Sequence, residues 1–292
     1  MSVQVRNLTH IYAEGLPWQS VALDSVSFDV NDGEFVGIIG PTGSGKTTLA
    51  RHLNGLLKPT GGSVVVGGID IAKEKTAARD VRRKVGLVFQ YPESQLFEET
   101  VYKDVAFGPA NLGLSKEEID ERVREALERV GLAYEEVARR SPFDLSGGQK
   151  RRVAIAGVVA MKPELLILDE PTAGLDPKSQ KEILNMLRGL HESHGRKGGG
   201  TILISHNMSD IARFSDKVLV MNRGKLILSG TPREVFRQEE LLVSIGLAPV
   251  PAAAFMRRLC LAGFPARTDV LTVAEAVDEI VAALGKPAGG AE

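Results

Sequence analysis

The sequence predicts an α/β fold, a mostly parallel sheet covered by helices. Strand-like and helix-like stretches alternate along most of the chain, and an early buried strand runs straight into a glycine-rich loop and a helix. From about 95 to 143 the strand pattern lapses, which predicts a helical subdomain inserted in the sheet domain and reaching to about 150.

Taken in order, residues 3–5 and 26–30 alternate apolar with polar side chains, as half-buried strands do. Asp32 and Gly33 mark a turn before a buried strand at 34–39. Residues 47–57 carry apolar positions at helical spacing, and Lys58, Pro59, Thr60, Gly61 and Gly62 end that helix. Further strands are expected at 64–66, 85–89, 165–168, 201–205 and 218–221. Ser115 with Glu118 forms a capping box ahead of a helix running toward Val130. The four glycines within 195–200 read as a flexible surface connection. After Thr231 and Pro232 the pattern becomes short amphipathic helices, so the chain divides into a domain at 1–230 and a small helical unit at 231–292. Thr272 with Glu275 caps the last helix, whose Val273, Val277, Ile280, Val281 and Leu284 share one face. That face buries either against the unit's own core or against another subunit. Residues 287–292 read as a frayed tail.

Composition narrows the function. With 292 residues, 43% hydrophobic and 25% charged, the chain suits one large core plus a smaller appended unit. A net charge of -1 and a pI near 6.6 argue against nucleic acid as a partner. The single cysteine, Cys260, excludes an intramolecular disulfide, fits a reducing cytosol and reads as a small core residue. No charged start followed by an apolar stretch suggests a secretion signal, and the apolar runs at 154–161 and 165–168 fall far short of the ~20 residues of a spanning helix. Arg82, Arg83 and Lys84, Arg139 and Arg140, and Lys150, Arg151 and Arg152 read as solvated or phosphate-proximal clusters, while His10, His52, His191 and His194 show no metal-ligand spacing.

Three motifs carry chemistry. Gly40, Pro41, Thr42, Gly43, Ser44, Gly45, Lys46 and Thr47 satisfy the phosphate-binding loop pattern. Small residues free the backbone amides to wrap an anion at a helix N-terminus, Lys46 can reach the β and γ phosphates, and the Thr47 hydroxyl suits Mg²⁺. Such a match arises by chance in on the order of one chain in a hundred of this length. An apolar strand at 165–168 then ends in Asp169 and Glu170, where α/β sheets place their ligands. Asp169 suits the Mg²⁺ shell and Glu170 the polarisation of an attacking water. Leu145, Ser146, Gly147, Gly148 and Gln149 open another helix with bare amides and form a second phosphate-binding feature. One nucleotide does not obviously need both.

These residues resemble the ATPase family of ABC transporters, with Gly40 to Thr47 as Walker A, Asp169 and Glu170 ending Walker B, and Leu145 to Gln149 as the signature. The resemblance covers roughly residues 3–230 and implies a P-loop NTPase fold with an antiparallel β part, in which the signature of one subunit closes over ATP held by another. It further implies that Gln90 is the glutamine that senses nucleotide, joins the Mg²⁺ site and faces the membrane partner, that Ala173, Gly174, Leu175 and Asp176 form the D-loop, and that His206 contacts the γ-phosphate. Tyr12 would stack on adenine, and Thr48 would join Thr47 beside the phosphates; no active-site position is replaced.

Within that family, the run from Phe89 through Gln95 to Phe97, the approach Ser141, Pro142, Phe143 and Asp144, and the C-terminal helices resemble the ATPases of energy-coupling factor importers for vitamins and metal ions. The loop Glu14, Gly15, Leu16, Pro17 and Trp18 is similar to that of the second of their two ATPase paralogues. The resemblance implies a second ATPase as partner, in a heterodimer or a homodimer, stabilised by the C-terminal unit. It also implies a transmembrane coupling protein, a separate substrate-capturing membrane protein and a peripheral place on the cytoplasmic face of the membrane. A conventional ABC importer or exporter, a non-transport ABC protein and a non-hydrolysing regulatory module are the competing readings; intact Glu170 and His206 argue against the last.

Overall fold

The computed structural model describes residues 1–73, 77–195 and 199–284. The chain begins with β1 (Val3–Tyr12), β2 (Ser20–Val30), β3 (Phe35–Ile39), α1 (Lys46–Leu53), β4 (Gly61–Val66) and β5 (Ile69–Asp70). Next come α2 (Ala77–Lys84), β6 (Val85–Val88), α3 (Val101–Asn111), α4 (Lys116–Arg129), α5 (Tyr134–Val137) and α6 (Gly147–Val159). Then follow β7 (Leu165–Asp169), α7 (Pro177–Gly195), β8 (Gly200–Ile204), α8 (Met208–Phe214), β9 (Lys217–Asn222) and β10 (Lys225–Gly230). Four short helices finish the described chain: α9 (Pro232–Phe236), α10 (Glu239–Ser244), α11 (Pro251–Leu261) and α12 (Val273–Leu284). The glycine-rich connection expected at 195–200 lies partly outside the described residues, and the tail expected at 287–292 lies entirely outside them.

The expected α/β architecture is present. A six-stranded sheet runs β10-β9-β3-β8-β7-β6, parallel except for the β9/β10 pair, and a four-stranded antiparallel sheet runs β2-β1-β4-β5. β3, β7 and β8 are buried at every residue, the pattern of parallel strands covered on both faces. One core fills the space between the two sheets around α1; the other joins the opposite face of the large sheet to α3, α4, α6 and the C-terminal helices.

The inserted helices follow their local signals. Ser115 Oγ accepts from Glu118 N and the Glu118 carboxylate accepts from Ser115 N, which starts α4; Val123, Ala126 and Leu127 then bury its inner face. One expectation needs correcting. The helix expected at 47–57 stops at Leu53, because Asn54 turns inward to donate to Val85 O at 2.7 Å and Gly55 takes a left-handed φ of 71°. The stripe of α12 does not pack wholly on its own unit. Ile280 rests against the core, but Val273, Val277, Val281 and Leu284 are all more than half exposed. Cys260 is half-buried, its thiol donating to Ala266 O.

Candidate functional site

Register places the reacting groups in one row. Val88 of β6 lies beside Leu168 of β7, Leu168 beside Leu203 of β8, and Leu203 beside Gly37 of β3. Just past that level the strands release Gln90, Asp169 and Glu170, His206 and the loop opening at Gly40, so residues more than a hundred positions apart meet at the carboxyl edge of the sheet.

The loop is shaped by its own surroundings. Gly45 has φ 100°, and a Cβ there would stand 2.6 Å from Ala22 O; at Gly40 a Cβ would meet Met221 O at 2.2 Å. Gly45 leaves α1 with no side-chain cap, and no acidic residue sits in its first turn. The partial positive charge of the helix end is therefore left for an anion from outside. Ser44 Oγ is buried beside it with no hydrogen-bond partner among the described residues. Lys46 is only 7% exposed and donates to Gly40 O and Pro41 O at 2.7 and 2.9 Å. Burial pushes its ammonium pKa down, against the pull of Glu170 and Asp169.

Asp169 is buried and accepts from Thr47 Oγ1 at 2.7 Å. Burial raises its pKa, while Thr47 and Lys46 oppose the rise. Two hard oxygen donors thus stand together beside the loop's anion cradle, a donor set that fits Mg²⁺. Glu170 sits in the left-handed region at φ 50°, held by the hydrogen bond its backbone N–H donates to Ile204 O. A non-glycine residue there is strained and persists only where its surroundings enforce it. Its carboxyl pKa is pushed up to about 7, chiefly by burial. His206 Nε2 lies 3.2 Å from Glu170 Oε1 without hydrogen-bond geometry, which leaves that buried oxygen unpartnered. Burial and the Lys46 charge lower the pKa of the His206 imidazole. Gln90 is exposed at the end of the row.

Tyr12 is 38% exposed at the tip of β1, its hydroxyl 3.3 Å from Thr48 Oγ1. Sequence reasoning missed what stands behind it. The buried His10 ring meets Tyr12 edge-on at 4.5 Å and His52 at 4.7 Å, and His52 Nδ1 lies 2.8 Å from Thr48 O. Tyr12, His10, His52 and Thr48 close a ring of contacts that ties the end of β1 to α1. The available signal was the spacing: His10 precedes Tyr12 by two on a strand, and His52 follows Thr48 by four on a helix.

Residues 146–149 lie elsewhere. They line an open cleft of about 500 Å³ with Gly174, Asp176 and Ser179, and none of Lys46, Asp169 or Glu170 lines it. Ser146 and Gln149 are occupied with each other in a capping box at the start of α6. Asp176 accepts from Lys178 N and from both the amide and the hydroxyl of Ser179, capping α7. Leu145 is buried beneath them. Gly147 has no positive φ, and a Cβ on it would meet nothing within 4 Å. Among the described residues nothing requires glycine there. Of the cluster read as solvated or phosphate-proximal, Arg151 is not solvated: it is 1% exposed and forms a two-pronged pair with Glu93.

The family model for ABC transporters matches residues 23–173. An energy-coupling factor transporter ATP-binding protein EcfA2 from Caldanaerobacter subterraneus subsp. tengcongensis is 58% identical over 96% of this chain and 97% of its own. The chain belongs to the ABC transporter family, among its energy-coupling factor ATP-binding proteins. A Clostridioides difficile relative of the same name is 53% identical over 96% of this chain and 97% of its own. Among solved structures, cbiO1 from Clostridium perfringens, part of the ABC transporter complex cbiONQ, superposes with a TM-score of 0.72 at 38% identity over 83% of this chain and 93% of its own. A dimeric ATP-binding cassette in a post-hydrolysis state with ADP and Pi, MJ0796, superposes at 0.69 and 31% identity over 79% of this chain and 98% of its own. As a member of this ABC family the chain is an ATPase, and the strand-end row supplies the parts that phosphoryl transfer needs: an anion cradle, a buried cation and a carboxylate of raised pKa.

Proposed function

We propose that this chain forms one half of a paired ATPase that energises an energy-coupling factor importer of vitamins or transition-metal ions. The observation that carries the reading is the separation of two phosphate-binding features within one chain. The loop at 40–47 has its chemistry beside it, while the one at 145–149 faces an open cleft with glycine that its own packing does not need. A second, similar ATPase, or a second copy of this chain, completes each feature with the other.

In this reading the amides of Gly40, Pro41, Thr42, Gly43, Ser44 and Gly45 hold the phosphates with Lys46, Thr47 and Thr48. Thr47, Asp169 and Gln90 would hold Mg²⁺, which supplies charge neutralisation at the transferring phosphoryl group. Glu170 polarises the attacking water, His206 contacts the γ-phosphate and Tyr12 stacks on adenine. Leu145, Ser146, Gly147, Gly148, Gln149 and Asp176 serve the nucleotide held by the partner. ATP closes the pair and hydrolysis reopens it. The exposed face of α12 joins the subunit interface.

A groove beside the turn after Gln90 suits a helix of the transmembrane coupling protein. Exposed Phe97 and Phe107 meet edge-on at 5.1 Å on its wall, with Leu96, Val153 and Met161 beneath. Among the described residues no helix is long and apolar enough to cross a membrane, so the coupling protein and a separate substrate-capturing membrane protein would hold this chain at the cytoplasmic face. Purifying a tagged copy from native membranes tests the proposal. A second ATPase with a coupling protein and small membrane proteins is the expected result; a pair of conventional permease subunits, or ribosomes, would overturn it.

A further inference from the structure

One side chain joins three segments that the reaction uses separately. Arg151 lies in the second turn of α6, just after residues 146–149, and only 1% of it is exposed. Its Nε and Nη2 donate to Glu93 Oε2 and Oε1 at 2.8 and 2.6 Å. Glu93 belongs to the tight turn Pro92–Gln95 that follows Gln90 and leads to Phe97 in the groove. The remaining Nη1 donates to Pro171 O at 3.1 Å and to Ala173 O at 2.7 Å, both in the loop that leaves Glu170 and runs to Asp176. Tyr91 closes the cluster. Its ring centroid is 6.0 Å from the guanidinium carbon, and its edge stands against Gly174, where a Cβ would be 3.3 Å away.

A buried ion pair is a poor device for stability, since two ions must be stripped of water to make it. It is a good device for geometry. A planar fork that spends both prongs on one carboxylate and its third nitrogen on two carbonyls has no rotamer in which to yield. The three segments therefore keep one spacing or break together.

We propose that Arg151 is a positioning residue that couples the turn after Gln90 to residues 146–149 and 173–176, so that occupancy of a subunit's own nucleotide site and membrane-side groove is passed to the nucleotide held across the pair. This rests on the paired reading above. Glu93 is its counterpart: a shift of Gln90 or of the groove moves Glu93, Glu93 carries Arg151, and Arg151 carries both surfaces that face the opposite site.

The test uses the complex purified with its native partners, carrying Glu93→Gln, Arg151→Lys or both, with ATP turnover followed across ATP concentration. Turnover should fall about tenfold or more. The Hill coefficient for ATP should drop from about 2 toward about 1, while ATP affinity of the isolated subunit moves less than about twofold. The double variant should fall no further than the weaker single one. If Arg151→Lys does not fold, Glu93→Gln decides, because that side chain is 26% exposed and glutamine keeps its shape. Variants that keep wild-type cooperativity, or lose turnover only together with nucleotide affinity and thermal stability, overturn the proposal alone. A wild-type complex without cooperativity overturns the paired reading and this proposal with it.

Discussion

At Gly45 the chain leaves a helix end uncapped and builds its own surroundings closely around it; at Ser146 it caps the helix and leaves the surroundings empty. In the first region glycine is demanded from within, by a left-handed backbone and a carbonyl 2.6 Å from where a Cβ would stand. In the second, glycine at 147 is idle among the described residues. Lys46 and Asp169 are buried and Glu170 is partly so, all three with shifted pKa values, whereas Ser146 and Gln149 bond to each other at the rim of an open cleft. A region whose sequence restrictions are explained by its own packing is finished inside the chain. One whose restrictions are not is finished by something else.

Substitutions can break this contrast. The largest effect belongs to Glu170→Gln, which should cut turnover of the assembled complex about 10²–10⁴-fold with ATP still bound; intact turnover would remove Glu170 from its role. Lys46→Ala should lower ATP affinity of the isolated subunit about a hundredfold, the loss of a charged contact, read with a fluorescent nucleotide, and unchanged affinity would contradict the cradle described for 40–47.

The two glycines sharpen the comparison directly. Gly45→Ala should destabilise the isolated subunit by about 1–3 kcal/mol in denaturant unfolding, whereas Gly147→Ala should leave its stability within about 0.5 kcal/mol. Gly147→Ala should nevertheless slow the assembled complex about tenfold. Equal stability losses would erase the difference between the regions. Val277→Asp should weaken pairing, seen by sedimentation velocity as a shift toward single subunits, without lowering monomer stability.

The smallest effect concerns acid. Partial burial opposes ionisation of Glu93, but Arg151 more than compensates and holds its pKa below the usual carboxylate range. Its contribution to stability is thus present above the unfolded-state pKa and is lost as pH falls through the lower folded-state value. Glu93→Gln should flatten that part of the acid-unfolding curve.

The alternation of strands and helices, the phosphate loop, the carboxylates ending β7 and the capping box of α4 were legible in the sequence because each is chemistry confined to a few consecutive residues. The loop needs small residues, a cation and a hydroxyl within one turn of backbone, and no tertiary contact changes that. Arg151 was misread because its partner is 58 positions away and a basic run on a helix start is ordinarily solvated. The His10–His52 contact was hidden because two unremarkable histidines become neighbours only when the end of β1 meets α1. The end of α1 was decided by Asn54 reaching Val85, also across the fold. On α12 the 3.6-residue pattern determined that an apolar face exists. Only the packed structure decided that most of this face points outward, because periodicity describes one helix and burial depends on what is set against it.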